Sequence, residues 1–338
     1  MPMPTKLTTI TAEDFASDQE VRWCPGCGDF AILAQIKQVL ASLRIPREKI
    51  AFVSGVGCSS RLPYYLNVYG FHTLSGRAPT VATGLKVARP DLSVWVATGD
   101  GDGLGAGSNY LLHALRRNVG LKILLFNNEV YGLSKGQSSP TTRPGTRTRT
   151  TPHGSTEQPL RPLSVALAAE ASFVARTIDV DGEHLAMVLR RAAEHAGAAF
   201  VEIYQNCKIF NDGVFDYATD RAVKSDNVLY LEHGKPLVYG KDRNRGIRLR
   251  GASLQSFAIN GAGHPPDLLV HDEQAADANL ATMLAGMTAP NLPEVLGVLR
   301  CVERPTFEER LAEVQRPRLR GAGTVEELFA SEDSWEVA

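Results

Sequence analysis

The chain has 338 residues, 43% of them hydrophobic and 22% charged, which suits one large α/β domain with additions, or two domains. A net charge of −1 offers no bulk attraction for nucleic acid, and no apolar run reaches membrane-spanning length. Met1–Thr9 carry neither an apolar signal core nor an Arg-rich amphipathic pattern, so the expected location is cytoplasmic. The five cysteines then favour metal or redox chemistry over a disulfide framework.

Residues 1–20 read as a polar N-terminal arm. Trp23-Cys24-Pro25-Gly26-Cys27-Gly28-Asp29 follows, opening a helical pattern through Phe30, Leu33, Ile36 and Leu40. A Cys-x-x-Cys pair at a helix start can be a dithiol, half of a zinc site or half of an iron–sulfur site. Ile50–Ser54 is a strand running into the turn Gly55-Val56-Gly57-Cys58-Ser59-Ser60-Arg61. After Phe71-His72-Thr73 a helix is expected from about Pro79 to Ala88.

The central stretch is an apolar strand, Leu92–Ala97, then Gly99-Asp100-Gly101-Asp102-Gly103, a helical pattern Leu104–Arg117, a second strand Leu121–Phe126, and Asn127-Asn128-Glu129-Val130. In a parallel sheet both turns fall at carboxyl strand ends, where α/β folds bind ligands. Asp100 offers a hard anionic oxygen and Asn128 an amide oxygen, ligands that suit Mg²⁺ together with phosphate oxygens. The glycines admit a phosphate to the backbone, and the helix start directs N–H groups at it. The whole reads as a metal–diphosphate site and resembles the thiamine diphosphate motif. By that resemblance Asp100, the Asn128 side chain and the Val130 carbonyl hold Mg²⁺, and Gly57, Cys58, Ser59, Gly99, Gly101 and Asp102 contact the cofactor. Alternatives are a turn serving only the fold, or a dinucleotide loop, since Gly101-x-Gly103-x-x-Ala106 loosely fits one; the latter explains neither the acids nor the Asn pair.

Gly132–Pro162 is a loop leaving the Asn pair directly, long enough to be read as a lid over the cofactor. Leu163–Ala171 and His184–Ala196 read as helices, Phe173–Ile178 and Ala199–Tyr204 as strands, the second being the expected last strand of the sheet and delivering Gln205-Asn206-Cys207. Cys24, Cys27, Cys58 and Cys207 can therefore converge beside the diphosphate site. Four thiolates match a [4Fe–4S] cluster or structural zinc; position beside a redox-capable cofactor favours the cluster. Cys301 reads as a buried residue of the tail. From about Asp220 the character changes to a hairpin near 234–242, a charged β-like run Arg243–Arg250, a helix through Leu280 and Leu284, and a last helix around Phe307–Val314. The acidic end, Glu326–Ala338, is expected to fray.

With these residues in place the chain resembles the β subunits of 2-oxoacid:ferredoxin oxidoreductases, on Trp23-Cys24-Pro25-Gly26-Cys27-Gly28, Gly57-Cys58-Ser59-Ser60-Arg61-Leu62-Pro63, Gly99-Asp100-Gly101-Asp102, and Asn127-Asn128-Glu129-Val130-Tyr131-Gly132 running into Gly136-Gln137. Gly240-Lys241-Asp242-Arg243 and Val270-His271-Asp272-Glu273 resemble the longer, 2-oxoglutarate-type members. Ser75 stands where many relatives carry a second histidine, and Arg61 where many carry lysine.

The resemblance implies an α/β thiamine diphosphate-binding fold: a mostly parallel sheet with helices on both faces. The organisation it suggests is arm 1–20, thiamine diphosphate/Mg domain with the cluster 21–219, and C-terminal extension 220–338. The implied reaction is CoA-dependent oxidative decarboxylation of a 2-oxoacid, 2-oxoglutarate to succinyl-CoA foremost, with electrons leaving through the [4Fe–4S] cluster to ferredoxin. An α subunit, in an α2β2 assembly, would supply the glutamate that activates the cofactor, so the chain alone is expected to be inactive. Arg61 and His72 are the candidate catalytic residues, and Arg61, Leu133 and Lys135 the candidate substrate contacts. Competing expectations are pyruvate or broad 2-oxoacid specificity, a non-oxidative thiamine enzyme with structural zinc, and a subunit that only binds ferredoxin.

Overall fold

The computed structural model describes residues 10–259, 265–319 and 323–329, without the side chains of 317–319 and 328. The first part of the expected arm and the acidic end after 329 lie outside the described residues. In chain order the strands are β1 (Ile50–Ser54), β2 (Tyr69–His72), β3 (Ser93–Gly99), β4 (Leu121–Asn127), β5 (Val130–Tyr131), β6 (Gln137–Ser138), β7 (Phe173–Ile178), β8 (Ala199–Tyr204), β9 (Val228–Leu231), β10 (Val238–Tyr239), β11 (Arg245–Arg250), β12 (Ser253–Ala258) and β13 (Glu294–Cys301).

Eight of them form one sheet in the order β2-β1-β3-β4-β8-β7-β13-β9. From β2 to β7 all neighbours are parallel. Successive residues along these strands pack into opposite layers. Val53, Val94, Val96, Ile123, Leu125, Val174 and Phe200 enter one core, while Phe52, Trp95, Ala97, Leu124, Phe126, Phe173 and Val201 enter the other. The first core is closed by α2 (Ala78–Ala88), α3 (Ser108–Arg116) and α4 (Pro162–Ala168), the second by α1 (Asp29–Leu43) and α5 (Gly182–Glu194). Burial on both faces is what makes these strands continuous apolar runs rather than alternating ones.

Local signals set the helix limits. Pro79 stands in the first turn of α2, where its missing N–H costs nothing. The Asp181 side chain accepts from His184 N at 3.3 Å and caps α5. Arg44, at φ 55°, ends α1 in a left-handed turn.

Two expectations are corrected. Ala199–Tyr204 is not the last strand of the sheet. β13 and β9, both beyond residue 220, add to it, with β13 antiparallel to β7 and β9 parallel to β13. Nor is Leu104–Arg117 one α-helix. A π-helical turn, Asp102–Ala106, precedes α3, with Gly107 N bonded to Asp102 O at 3.0 Å. Close approach of Gly76 to the Gly107 backbone accompanies this widening, and such turns recur at functional sites. The stretch after 220 also folds β10, β11 and β12 into a small antiparallel sheet. No described helix is long and apolar enough to cross a membrane.

Candidate functional site

Parallel pairing places the carboxyl ends of β1, β3, β4, β7 and β8 along one edge, and the turns that follow meet there. A narrow cavity at this edge is lined by Gly57, Cys58, Ser59, Gly99, Asp100, Gly101, Asp102, Asn128 and Val130, among others. Asp100 and Asp102 are each 2% exposed, but they are used differently. Asp102 Oδ1 accepts from Val56 N at 3.0 Å, Gly76 N at 2.7 Å and Ser75 Oγ at 3.0 Å, and its Oδ2 accepts from Thr98 Oγ1 at 2.7 Å. It ties the β1 and β2 loops to the β3 turn, and Ser75 is one of its clamps. Asp100 Oδ2 accepts from Ser139 Oγ and Thr141 Oγ1, both at 2.6 Å. Burial pushes the Asp100 carboxyl up to about 6, against the pull of those two hydroxyls.

In the asparagine turn, Asn128 Oδ1 accepts from Val130 N at 3.1 Å and Asn128 Nδ2 donates to Gln205 Oε1 at 2.7 Å. Val130 pairs with Ser138 across the short β5–β6 ladder. Asn127 turns the other way, donating from Nδ2 to Glu202 Oε1 at 2.7 Å. Among the described residues no three His, Cys, Asp or Glu side chains converge as a ligand set for one ion. A cation at Asp100 therefore needs amide, carbonyl and phosphate oxygens, the partners Mg²⁺ takes.

Cys24, Cys27, Cys58 and Cys207 line one cavity of about 380 Å³, with Arg22, Arg61, Leu133, Lys135 and Lys208 also on its wall. It adjoins the diphosphate cavity: Cys58, Asn128, Gly132, Leu133 and Gln205 line both. A side chain on Gly132 would start 3.6 Å from both the Cys58 and Cys207 sulfurs. Burial pushes the Cys27 thiol far up and the Cys58 thiol up to about 11; the Asp29 carboxylate and neighbouring cysteines add to both shifts. All four cysteines are free thiols, and the group is held by specific ties. Trp23 Nε1 donates to Cys58 O at 2.8 Å, Gly28 N to Asn206 O at 3.1 Å, and Gln205 Nε2 to Cys27 Sγ at 3.2 Å. Only glycine fits at 28, since a Cβ there would stand 1.9 Å from Asp179 Oδ2.

Arg61 Nη1 donates to Arg22 O at 3.1 Å and lies on the cysteine cavity. His72 lines neither cavity. It ends the exposed edge strand β2, stacks on Tyr64 with ring centroids 4.2 Å apart, and its Nδ1 is 2.9 Å from Ser54 Oγ. Cys301 is only partly buried; it ends β13 with its sulfur 3.9 Å from His195 Nδ1. Sequence reasoning did not single out Gln205, Asp29, Ser139 or Thr141. Asp29 is 1% exposed with neither carboxylate oxygen hydrogen-bonded, and burial pushes it up to about 7. Its place directly after Cys27-Gly28 was the available signal.

Residues 55–203 match the family of thiamine pyrophosphate enzymes, C-terminal TPP-binding domain. That defines the class: a thiamine pyrophosphate-binding α/β fold. The 2-oxoglutarate oxidoreductase subunit KorB of Mycobacterium tuberculosis is 47% identical over 345 residues, covering 99% of this chain and 91% of that protein. The 2-oxoacid:ferredoxin oxidoreductase subunit beta of a Sulfolobus species is 40% identical over 85% of this chain and 96% of its own length. A solved structure of 2-oxoglutarate:ferredoxin oxidoreductase from Magnetococcus marinus, with 2-oxoglutarate, coenzyme A and succinyl-CoA bound, superposes with a TM-score of 0.77 at 34% identity, covering 98% of both chains. The chain belongs to the family of 2-oxoacid:ferredoxin oxidoreductase β subunits, as its motifs led one to expect, and is a subunit of an oxidoreductase.

Proposed function

We propose that the chain, joined to an α subunit, catalyses CoA-dependent oxidative decarboxylation of 2-oxoglutarate and passes the electrons to ferredoxin. The observation that carries this is the shared wall between the Asp100 cavity and the four-cysteine cavity. Thiamine diphosphate supplies carbanion stabilisation, and a [4Fe–4S] cluster supplies one-electron acceptance, when bound.

The chain's own part is to bind and orient. Asp100, Asn128 and the Val130 carbonyl hold Mg²⁺; all are oxygen donors, and no side chain among the described residues donates to Asp100 Oδ1. Gly57, Ser59, Gly99 and Gly101 line the cavity that would take the diphosphate. Cys24, Cys27, Cys58 and Cys207 hold the cluster. All four line one cavity that adjoins the diphosphate cavity, a position that favours a redox cluster over structural zinc. Arg61 and Lys135 put positive charge on the same wall, which favours a substrate with a second carboxylate over pyruvate. His72, which lines neither cavity, is left out of this assignment. Five free cysteines agree with a reducing, cytoplasmic setting.

The test is anaerobic purification of the chain with its α partner, followed by CoA-dependent ferredoxin reduction with 2-oxoglutarate, pyruvate and branched 2-oxoacids. A brown complex, bleached by dithionite and most active on 2-oxoglutarate, is expected; the chain alone is expected to be inactive. A colourless, zinc-loaded complex that transfers no electrons would defeat the proposal.

A further inference from the structure

The loop after the asparagine pair reaches back to the metal–diphosphate turn. Ser139 and Thr141 are 5% and 4% exposed, and both donate to the same atom, Asp100 Oδ2, at 2.6 Å. They lie 39 and 41 residues downstream of it, on a segment that no helix or long strand fixes. The Thr141 hydroxyl is also 3.1 Å from Asn127 Oδ1. It has one proton, and the carboxylate, nearer and charged, is the stronger acceptor. Asn127 cannot turn to compete otherwise, because its Nδ2 is committed to Glu202 and its Oδ1 accepts from Glu129 N at 3.1 Å.

The neighbours of these two residues hold the other side of the site. Thr142 Oγ1 donates to Glu129 O at 2.7 Å, and Arg143 Nε stands 3.0 Å from Glu129 Oε2. Glu129 itself sits at φ 56°, a left-handed conformation unusual for a glutamate, between Asn128 and Val130. Four of the five residues from 139 to 143 thus grip either Asp100 or the turn that carries the remaining oxygen donors.

We propose that Ser139 and Thr141 are positioning residues for the divalent cation: two lid hydroxyls that saturate Asp100 Oδ2 and so aim Oδ1 at the metal. This rests on the assignment of Asp100 as a metal ligand. The physical ground is that Mg²⁺ demands near-ideal octahedral geometry, so a carboxylate free to rotate binds it poorly. Groups that orient ligands from behind typically change metal affinity about 10–100-fold.

The experiment uses the complex with the α subunit, thiamine diphosphate present, and Mn²⁺ as the probe, free Mn²⁺ being read by electron paramagnetic resonance. Thr141→Val keeps the shape and removes the hydroxyl. Thr141→Ser restores the hydroxyl, and Ser139→Ala repeats the test at the second donor should Thr141→Val fail to fold. Mn²⁺ affinity is expected to fall about 10-fold in Thr141→Val and in Ser139→Ala, with Thr141→Ser close to the parent. Lower melting temperatures with unchanged Mn²⁺ affinity in Thr141→Val and Ser139→Ala would make the hydroxyls merely structural and overturn the proposal. Asp100→Ala separates the two levels: full Mn²⁺ binding in that variant sinks the ligand assignment and the positioning role with it, whereas lost binding there beside unaffected hydroxyl variants sinks the positioning role alone.

Discussion

Tyr131 lies across Gly101. Its hydroxyl donates to the Gly101 carbonyl at 2.7 Å, and a Cβ on residue 101 would fall 2.2 Å from its ring. The phenol also closes over Gly105, where a Cβ would stand 2.3 Å from the hydroxyl oxygen. The diphosphate turn and the asparagine turn are therefore packed against each other through one aromatic ring.

Gly101→Ala is expected to destabilise the protein by about 1–3 kcal/mol, the usual cost of overpacking, and to weaken thiamine diphosphate binding. Removing the ring should relieve the clash. In Gly101→Ala/Tyr131→Ala the loss of stability, measured by denaturant unfolding, should be smaller than the sum of the single losses. Additive losses would mean that the ring is not what residue 101 meets.

Gln205 links the two cavities, donating to Cys27 Sγ while accepting from Asn128. A donor to a cluster thiolate favours the reduced, more negative state. On the proposed ligand set, Gln205→Leu should lower the cluster midpoint potential by roughly tens of millivolts. Potentiometric titration of the purified complex measures it, and an unchanged potential would place Cys27 outside the cluster.

Arg176 is buried between two carboxylates: its Nε donates to Glu202 Oε2 at 2.8 Å, and Nη1 donates to Glu294 Oε1. Arg176→Ala leaves both acids buried without their counter-ion and should cost about 3–5 kcal/mol. Replacing all three by apolar residues of similar volume should cost less, because the desolvation of three charges is avoided even though the donors Asn127 Nδ2 and Tyr217 Oη lose their acceptors. Melting temperatures of the two variants compare the costs directly.

His184 is partly buried, edge-on to the Tyr230 ring, with its buried Nε2 unbonded, and desolvation holds it down to about 4. The folded state thus binds fewer protons than the unfolded state between that value and the ordinary histidine range near 6.5. Stability contributed by keeping His184 neutral is present above about pH 6.5 and is lost as pH falls toward 4. Between pH 7 and pH 5, His184→Gln should lose about 1–2 kcal/mol less stability than the parent, measured by urea unfolding at each pH. Equal losses would show that His184 is not the group being charged.

The central parallel strands were legible because they are buried on both faces, whereas the exposed parallel edge strand β2 was not foreseen. Ile50–Ser54, Phe173–Ile178 and Ala199–Tyr204 were placed at the limits they have in the structure. β9 and β13 were missed for physical reasons. β9 has an exposed Tyr230 inside four residues, and β13 carries Arg300 and Glu294 for ion pairs that only the folded sheet creates. In the site, Asp100 and Asn128 could be picked out from a motif of specific chemistry, and Cys58 and Cys207, far from Cys24 and Cys27 in sequence, only from their places just past carboxyl strand ends. Ser139 and Thr141 could not, since a hydroxyl in a loop acquires meaning only from the distant carboxylate it meets. The long tail of that loop does carry its basic residues outward, with Arg147 and Arg149 making no salt bridge among the described residues.

The reversed pairing of β13 on β7 has a consequence during synthesis. β7 is complete at Ile178, yet the strand that covers its outer side ends at Cys301. At ribosomal speeds of about 5–20 residues per second, roughly ten seconds pass in which the nascent sheet shows an unpaired apolar edge. Such an edge is a template for pairing with another emerging chain until the last strand leaves the exit tunnel.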